Sequence, residues 1–74
     1  MKEISQSIRG DMINLGQLIK ILGLVSSGAH VKDYLFESKV LVNGDLETRR
    51  GRKLYDGDLV TVPGHALVRI VAAH

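Results

Sequence analysis

Arg49, Arg50, Arg52 and Lys53 set four cations within five consecutive positions, interrupted only by Gly51. Guanidinium groups meet phosphate oxygens as bidentate forks, and a glycine among them lets a phosphate come close to the backbone. The chemistry this run offers is the holding of a polyanion, not the making or breaking of bonds. The formal net charge of the whole chain is only +2, so the distribution carries the information. Residues 1–38 sum to zero. Residues 39–53 carry five positive side chains, Lys39 included, against Asp45 and Glu47, and residues 54–74 sum to −1. The excess is one local patch, which suits an electrostatic footprint for nucleic acid. The competing use of such a run is a solvated loop that keeps a small domain soluble.

Other chemistries find little support. The histidines are His30, His65 and His74, they are not spaced as metal ligands, and the chain has no cysteine to complete a site. No metal and no cofactor are expected. His30 shares a helical flank with Asp33 and Glu37, which reads as a solvated polar face. Asp56-Gly57-Asp58 is turn chemistry. No glycine-rich phosphate loop opens a helix and no nucleophile elbow is present, so an enzyme is not expected. The lack of cysteine favours a reducing compartment, and the expected location is the cytoplasm. The first residues have no signal-peptide core, and no apolar run approaches the ~20 residues a membrane span needs, so no membrane partner is expected.

The elements that must position the basic run follow from periodicity. With 74 residues, 45% of them hydrophobic and 24% charged, the chain is expected to form one globular domain over 1–74. The first thirteen residues read as a loose lead-in, with Met12 and Ile13 tucked onto the core. Asn14 is a good N-cap, and Leu15, Leu18, Ile19 and Leu22 recur at i, i+3, i+4 and i+7, one buried helical stripe. Lys20 falls on the wet side of that helix, and Gly23 can end it in a left-handed conformation. A second helix starts at Ser26 or Ser27 and runs to about Ser38. Its inner stripe is Val31, Tyr34 and Leu35, and Lys32 lies on an outer flank with Ala29 and Phe36. Strands follow. Lys39-Val40-Leu41-Val42 leads into Asn43-Gly44, the strongest short hairpin signal because both central residues of a type I′ turn need positive φ. Glu47-Thr48 reads as the start of the return strand, and 49–53 as an irregular loop. Asp56-Gly57 is a turn, Leu59 to Val62 a strand, Pro63-Gly64 another turn, and Ala66 to Val71 a last strand. The expected fold is α+β: two N-terminal helices packed on a small antiparallel sheet.

Several blocks of this chain are similar to one known family. Leu22-Gly23-Leu24-Val25, Ser26-Ser27, Val40-Leu41-Val42-Asn43-Gly44 and Gly57-Asp58-Leu59-Val60-Thr61-Val62 resemble the S-four-type RNA-binding domain over residues 15–62. The Val-Asn-Gly and Gly-Asp pair at this separation is more specific than either piece alone. The short stand-alone members, the YaaA and YbcJ type, look most similar through the Ser-Gly-Ala helix start and the Thr-Arg-Arg loop. The resemblance implies the alpha-L arrangement of helices and hairpin. It also implies RNA as the partner, ribosomal or otherwise structured, and leaves room for a ribosomal or translation-factor protein. Asn14 and Gly28 stand where many members carry arginine, so the binding surface is expected to have moved partly from the helices to the loop. Arg49, Arg50, Arg52 and Lys53 would clamp phosphates, with Lys32 and Lys39 alongside and Lys20 and His30 at the rim. The alternative is a protein-interaction adaptor in ribosome assembly or translation. A ubiquitin-like sulfur carrier is disfavoured, because the last four residues lack the Gly-Gly tail that such carriers activate.

Overall fold

The computed structural model describes residues 2–72. The stripe of Leu15, Leu18 and Ile19 does form a helix, α1, Leu15–Ile21, with all three side chains fully buried. Its entry is closed by the Asn14 N–H, which donates to Gln17 Oε1 at 3.1 Å. Its exit uses glycine's tolerance of positive φ. Gly23 sits at +74°, its N–H bonds to the Lys20 carbonyl at 3.0 Å, and the Leu24 N–H bonds to the Ile19 carbonyl at 3.2 Å. That pair of bonds is a Schellman stop.

The second helix starts differently from expectation. A 3₁₀ turn, Gly28–His30, precedes α2, Val31–Ser38, and neither element takes a side-chain cap. Among the described residues, the hydroxyls of Ser26 and Ser27 make no capping hydrogen bond. The Ser27 carbonyl instead receives the His30 N–H at 3.3 Å. Val31 and Leu35 face the core and Tyr34 is half-buried. Lys39 ends the helix at φ 55°, ψ 51°, a left-handed conformation that a lysine rarely takes.

The strands are β1 Glu3–Ile8, β2 Met12–Asn14, β3 Leu41–Val42, β4 Asp45–Leu46, β5 Lys53–Tyr55, β6 Leu59–Val62 and β7 Ala66–Ala72. They make a five-stranded sheet in the order β1-β7-β6-β3-β4 and a separate β2-β5 ribbon. Several expectations are corrected here. The lead-in is a strand: Ile4, Gln6 and Ile8 alternate inward while Glu3, Ser5 and Ser7 face water. The large sheet is mixed and not antiparallel, because β1 runs parallel to β7, from Glu3 beside Leu67 to Ile8 beside Ala72. The helices are not N-terminal, since β1 and β2 precede them. The return strand of the hairpin is Asp45–Leu46, ahead of Glu47-Thr48, and Lys53 belongs to β5 and not to a loop.

The two motif blocks separated in sequence are joined in space. Asn43 and Gly44 both have positive φ, 51° and 88°, as the type I′ turn demands. The Asn43 side chain then bridges to the second block: Nδ2 donates to Asp58 Oδ1 at 3.1 Å, and Oδ1 accepts the Leu59 N–H at 2.9 Å. Asp58 Oδ2 accepts the Tyr55 N–H at 2.7 Å. One asparagine and one aspartate thus pin the hairpin to the β5–β6 turn. Below them lies a core of Leu18, Ile19, Leu35, Val40, Val60, Val68 and Ile70, each at most 1% exposed. Truncating any of the leucines or isoleucines to alanine is expected to cost roughly 2–5 kcal/mol.

Candidate nucleic-acid interface

The basic segment is docked on α1 by its backbone. The first N–H groups of a helix have no partner within the helix. Here the Leu15 N–H bonds to the Arg52 carbonyl and the Gly16 N–H to the Arg50 carbonyl, both at 2.8 Å. The β2-β5 ribbon continues the contact, with Asn14 opposite Lys53 and Ile13 opposite Leu54. The approach is tight at Gly16. A Cβ on Gly16 would lie 3.1 Å from Arg50 Cβ, 3.3 Å from the Arg50 carbonyl oxygen and 3.4 Å from Val31 Cγ1.

Docking sends Arg50 across to the second helical segment, where Nη1 donates to the Gly28 carbonyl at 3.3 Å. Lys20 reaches the same place from α1: a Cβ on Gly28 would sit 4.0 Å from its Nζ. Arg50, Lys20, Gly16, Gln17, Gly28 and Gly51 share the wall of one concavity of about 190 Å³. Among the described residues no carboxylate lines it, and Lys20 and Arg50 make its wall positive. A second, wider groove of about 500 Å³ opens on the other side of Gly51 and is lined by Arg49, Arg52, Lys53, Tyr55 and Asp58. Asp58 is already engaged by the Asn43 side chain and the Tyr55 N–H.

Arg49 and Arg52 are tied to a carboxylate. Glu47 is 6% exposed. Its Oε2 accepts from the Arg49 N–H and Nε at 3.0 Å each, and its Oε1 from Arg49 Nη2 at 3.1 Å and Arg52 Nη1 at 3.2 Å. The Arg49 side-chain hydrogen bonds are the main reason its pKa falls from 4.5 to about 2, against the opposing pull of burial. The same contact raises Arg49 above its ordinary value. Arg49 nevertheless keeps 74% of its side-chain surface open to solvent, and Arg52 keeps 35%. The carboxylate cancels one charge of the pair and leaves the other.

The remaining cations are spread more widely. Lys53 is exposed on β5 at the edge of the second groove. His30 is exposed in the 3₁₀ turn, two residues from Gly28. Lys32 is exposed in the first turn of α2, beside Val31, which touches the first concavity. Lys39 is exposed at the other end of α2. Its neighbour Val40 accepts the Glu47 N–H at 2.9 Å, which places Lys39 one residue from the anchored segment. Among the described residues, no hydrogen bond or ion pair links Lys32 or Lys39 to the loop. The structure therefore gathers Arg50 with Lys20, and Arg49 with Arg52 and Lys53, on either side of Gly51.

Sequence reasoning missed Glu47, Gly16 and Tyr55. Glu47 was legible only as an acid at the start of a return strand, two residues ahead of a basic run. Gly16 was legible only as a glycine inside a helical pattern, a position that often marks a close packing partner. Tyr55, half-exposed in the second groove, adds an aromatic face beside the cations.

Comparison with known proteins points in one direction. The S4 domain matches residues 6–71. A protein of Bacillus subtilis (strain 168) named "Probable ribosome maturation protein RlbA" is 45% identical over 65 residues, covering 88% of this chain and 92% of that protein. One of Escherichia coli (strain K12) named "Putative RNA-binding protein YbcJ" is 38% identical over 60 residues, 81% of this chain and 84% of its own length.

Proposed function

The chain belongs to the S4 domain family, and from that premise we propose that it is a non-catalytic RNA-binding module that holds structured RNA by its phosphates. The observation that carries this reading is the convergence of Arg50 and Lys20, from two different parts of the chain, on one concavity that no carboxylate lines among the described residues. Arg49, Arg52 and Lys53 extend the positive surface past Gly51, and Lys32, Lys39 and His30 flank it. α1, α2 and the β3–β4 hairpin are read as the family's alpha-L unit, with the whole chain as one domain. Backbone and shape recognition suits structured RNA better than base reading, because Tyr55 is the one aromatic ring at the grooves among the described residues. One relative is named for RNA binding and another for ribosome maturation, which makes ribosomal RNA the first ligand to test and the cytoplasm the expected place of action. No helix among the described residues is long and apolar enough to cross a membrane.

The test is titration of labelled, fragmented ribosomal RNA at several salt concentrations. If about four phosphates are neutralised, log K falls against log[salt] with a slope of about −3 to −4. A flat dependence would overturn the reading. Nuclease treatment of a pulldown separates RNA from protein docking, since partners held through RNA are lost and partners bound directly stay.

A further inference from the structure

We infer that Glu47 is a positioning residue for RNA binding: it orients the Arg49 and Arg52 guanidinium groups toward phosphate instead of merely neutralising them. The inference rests on the RNA-binding reading above and deepens it.

The geometry supplies the argument. Arg49 presents its Nε edge to Glu47, through Nε and Nη2. A guanidinium is planar, so two bonds along its side edge fix the plane and the direction of the free Nη1–Nη2 end. Among the described residues, Arg49 Nη1 has no protein acceptor, and the side chain remains 74% exposed. Arg52 gives Glu47 only Nη1, leaving Nε and Nη2 without a protein acceptor among the described residues. Glu47 itself is anchored. It is 6% exposed, its own N–H is bonded to the Val40 carbonyl, and its oxygens also hold the Arg49 N–H. A carboxylate this well held, with a pKa pulled to about 2, stays ionised wherever RNA binds. An arginine on an open loop otherwise loses side-chain rotamer freedom when it meets a phosphate. Here that freedom is already restricted in the unbound protein.

Two roles for Glu47 predict opposite signs. If the carboxylate only cancels charge, Glu47→Gln raises net charge by one and tightens RNA binding. If it positions the arginines, the same substitution weakens binding despite the added charge. The experiment is titration of labelled, fragmented ribosomal RNA with wild type, Glu47→Gln, Arg49→Ala/Arg52→Ala and the triple variant, at one fixed salt concentration. Positioning predicts about tenfold weaker binding for Glu47→Gln, equivalent to ~1.4 kcal/mol. It also predicts that the loss disappears, or turns into a gain, once both arginines are gone. A purely structural role would weaken binding equally in both backgrounds. Equal or tighter binding by Glu47→Gln, or a loss that persists without the arginines, overturns the inference while leaving RNA binding intact. Failure of the wild type to bind at all overturns the functional reading, and this inference with it. If Glu47→Gln does not give a native amide spectrum, Glu47→Asp replaces it. That variant keeps the charge and shortens the reach, so weaker binding supports positioning and unchanged binding refutes it.

Discussion

Arg49 and Arg50 are consecutive residues of one type, yet they sit in opposite electrical surroundings. Arg49 is clasped by a buried carboxylate two residues back. Arg50 crosses to the 3₁₀ turn ahead of α2, takes a neutral carbonyl and stands beside Lys20. The difference arises from backbone geometry, since the Arg50 and Arg52 carbonyls are committed to the α1 N-terminus and the intervening chain is held there. The comparison teaches that a run of like residues need not act as a unit. One side of Gly51 is ordered in advance, and the other is left strongly positive.

The largest effect is expected where positive charge is not offset. Lys20→Glu/Arg50→Glu should weaken binding at least ~100-fold, about 2.7 kcal/mol or more, with a native circular dichroism spectrum. Retained affinity would move the binding surface to the Arg49 side. Next comes the support both sides share. Gly16→Val forces the Arg50 backbone outward, and overpacking of this kind costs about 1–3 kcal/mol, readable in a urea melt. RNA binding should fall with it, because the loop is displaced from α1. Unchanged stability would mean the loop can shift freely.

Acid should test the clasp on the Arg49 side. Glu47 has a folded pKa of about 2 against an ordinary 4.5, so its contribution to stability is complete above the unfolded value and is lost as pH falls from about 4.5 towards 2. Urea melts across this window should lose less stability in Glu47→Gln than in wild type, since the variant has no proton to take up there. Parallel pH profiles would contradict the clasp. The smallest effect is expected for Lys32→Ala, which flanks the surface without touching the loop: about a twofold loss of affinity by titration, from the removal of one peripheral charge. A loss as large as that of Lys20→Glu/Arg50→Glu would place Lys32 at the centre instead.

What could be read from the chain in advance follows the range of the forces involved. α1 was legible because its stripe and its stops, Asn14 and Gly23, are local. The hairpin was legible because only a turn with two positive φ values makes Asn43-Gly44 useful. β1 was not, since an edge strand needs one buried face and shows only Ile4 and Ile8 as apolar. Its partner lies at the far end of the chain, and no local pattern announces a parallel pairing. The basic run was visible as composition, but its division was not. That division depends on Glu47 being buried by the return of the hairpin and on Gly16 admitting the loop, both tertiary facts. The serine hydroxyls of Ser26 and Ser27 were over-read, because the 3₁₀ turn satisfies its ends through backbone carbonyls.

The parallel pairing of β1 with β7 bears on how the domain comes into being. Residue 3 lies beside residue 67, so β1 must wait for β7 to be synthesised before its ladder can form. Closing so long a loop costs little more than closing a short one, because the entropy grows only with the logarithm of length, but it delays the step in time. Until Ala66–Ala72 has emerged, Ile4 and Ile8 have no strand to zip against, and the nascent chain carries an open sheet edge of the kind that chaperones and neighbouring chains can capture.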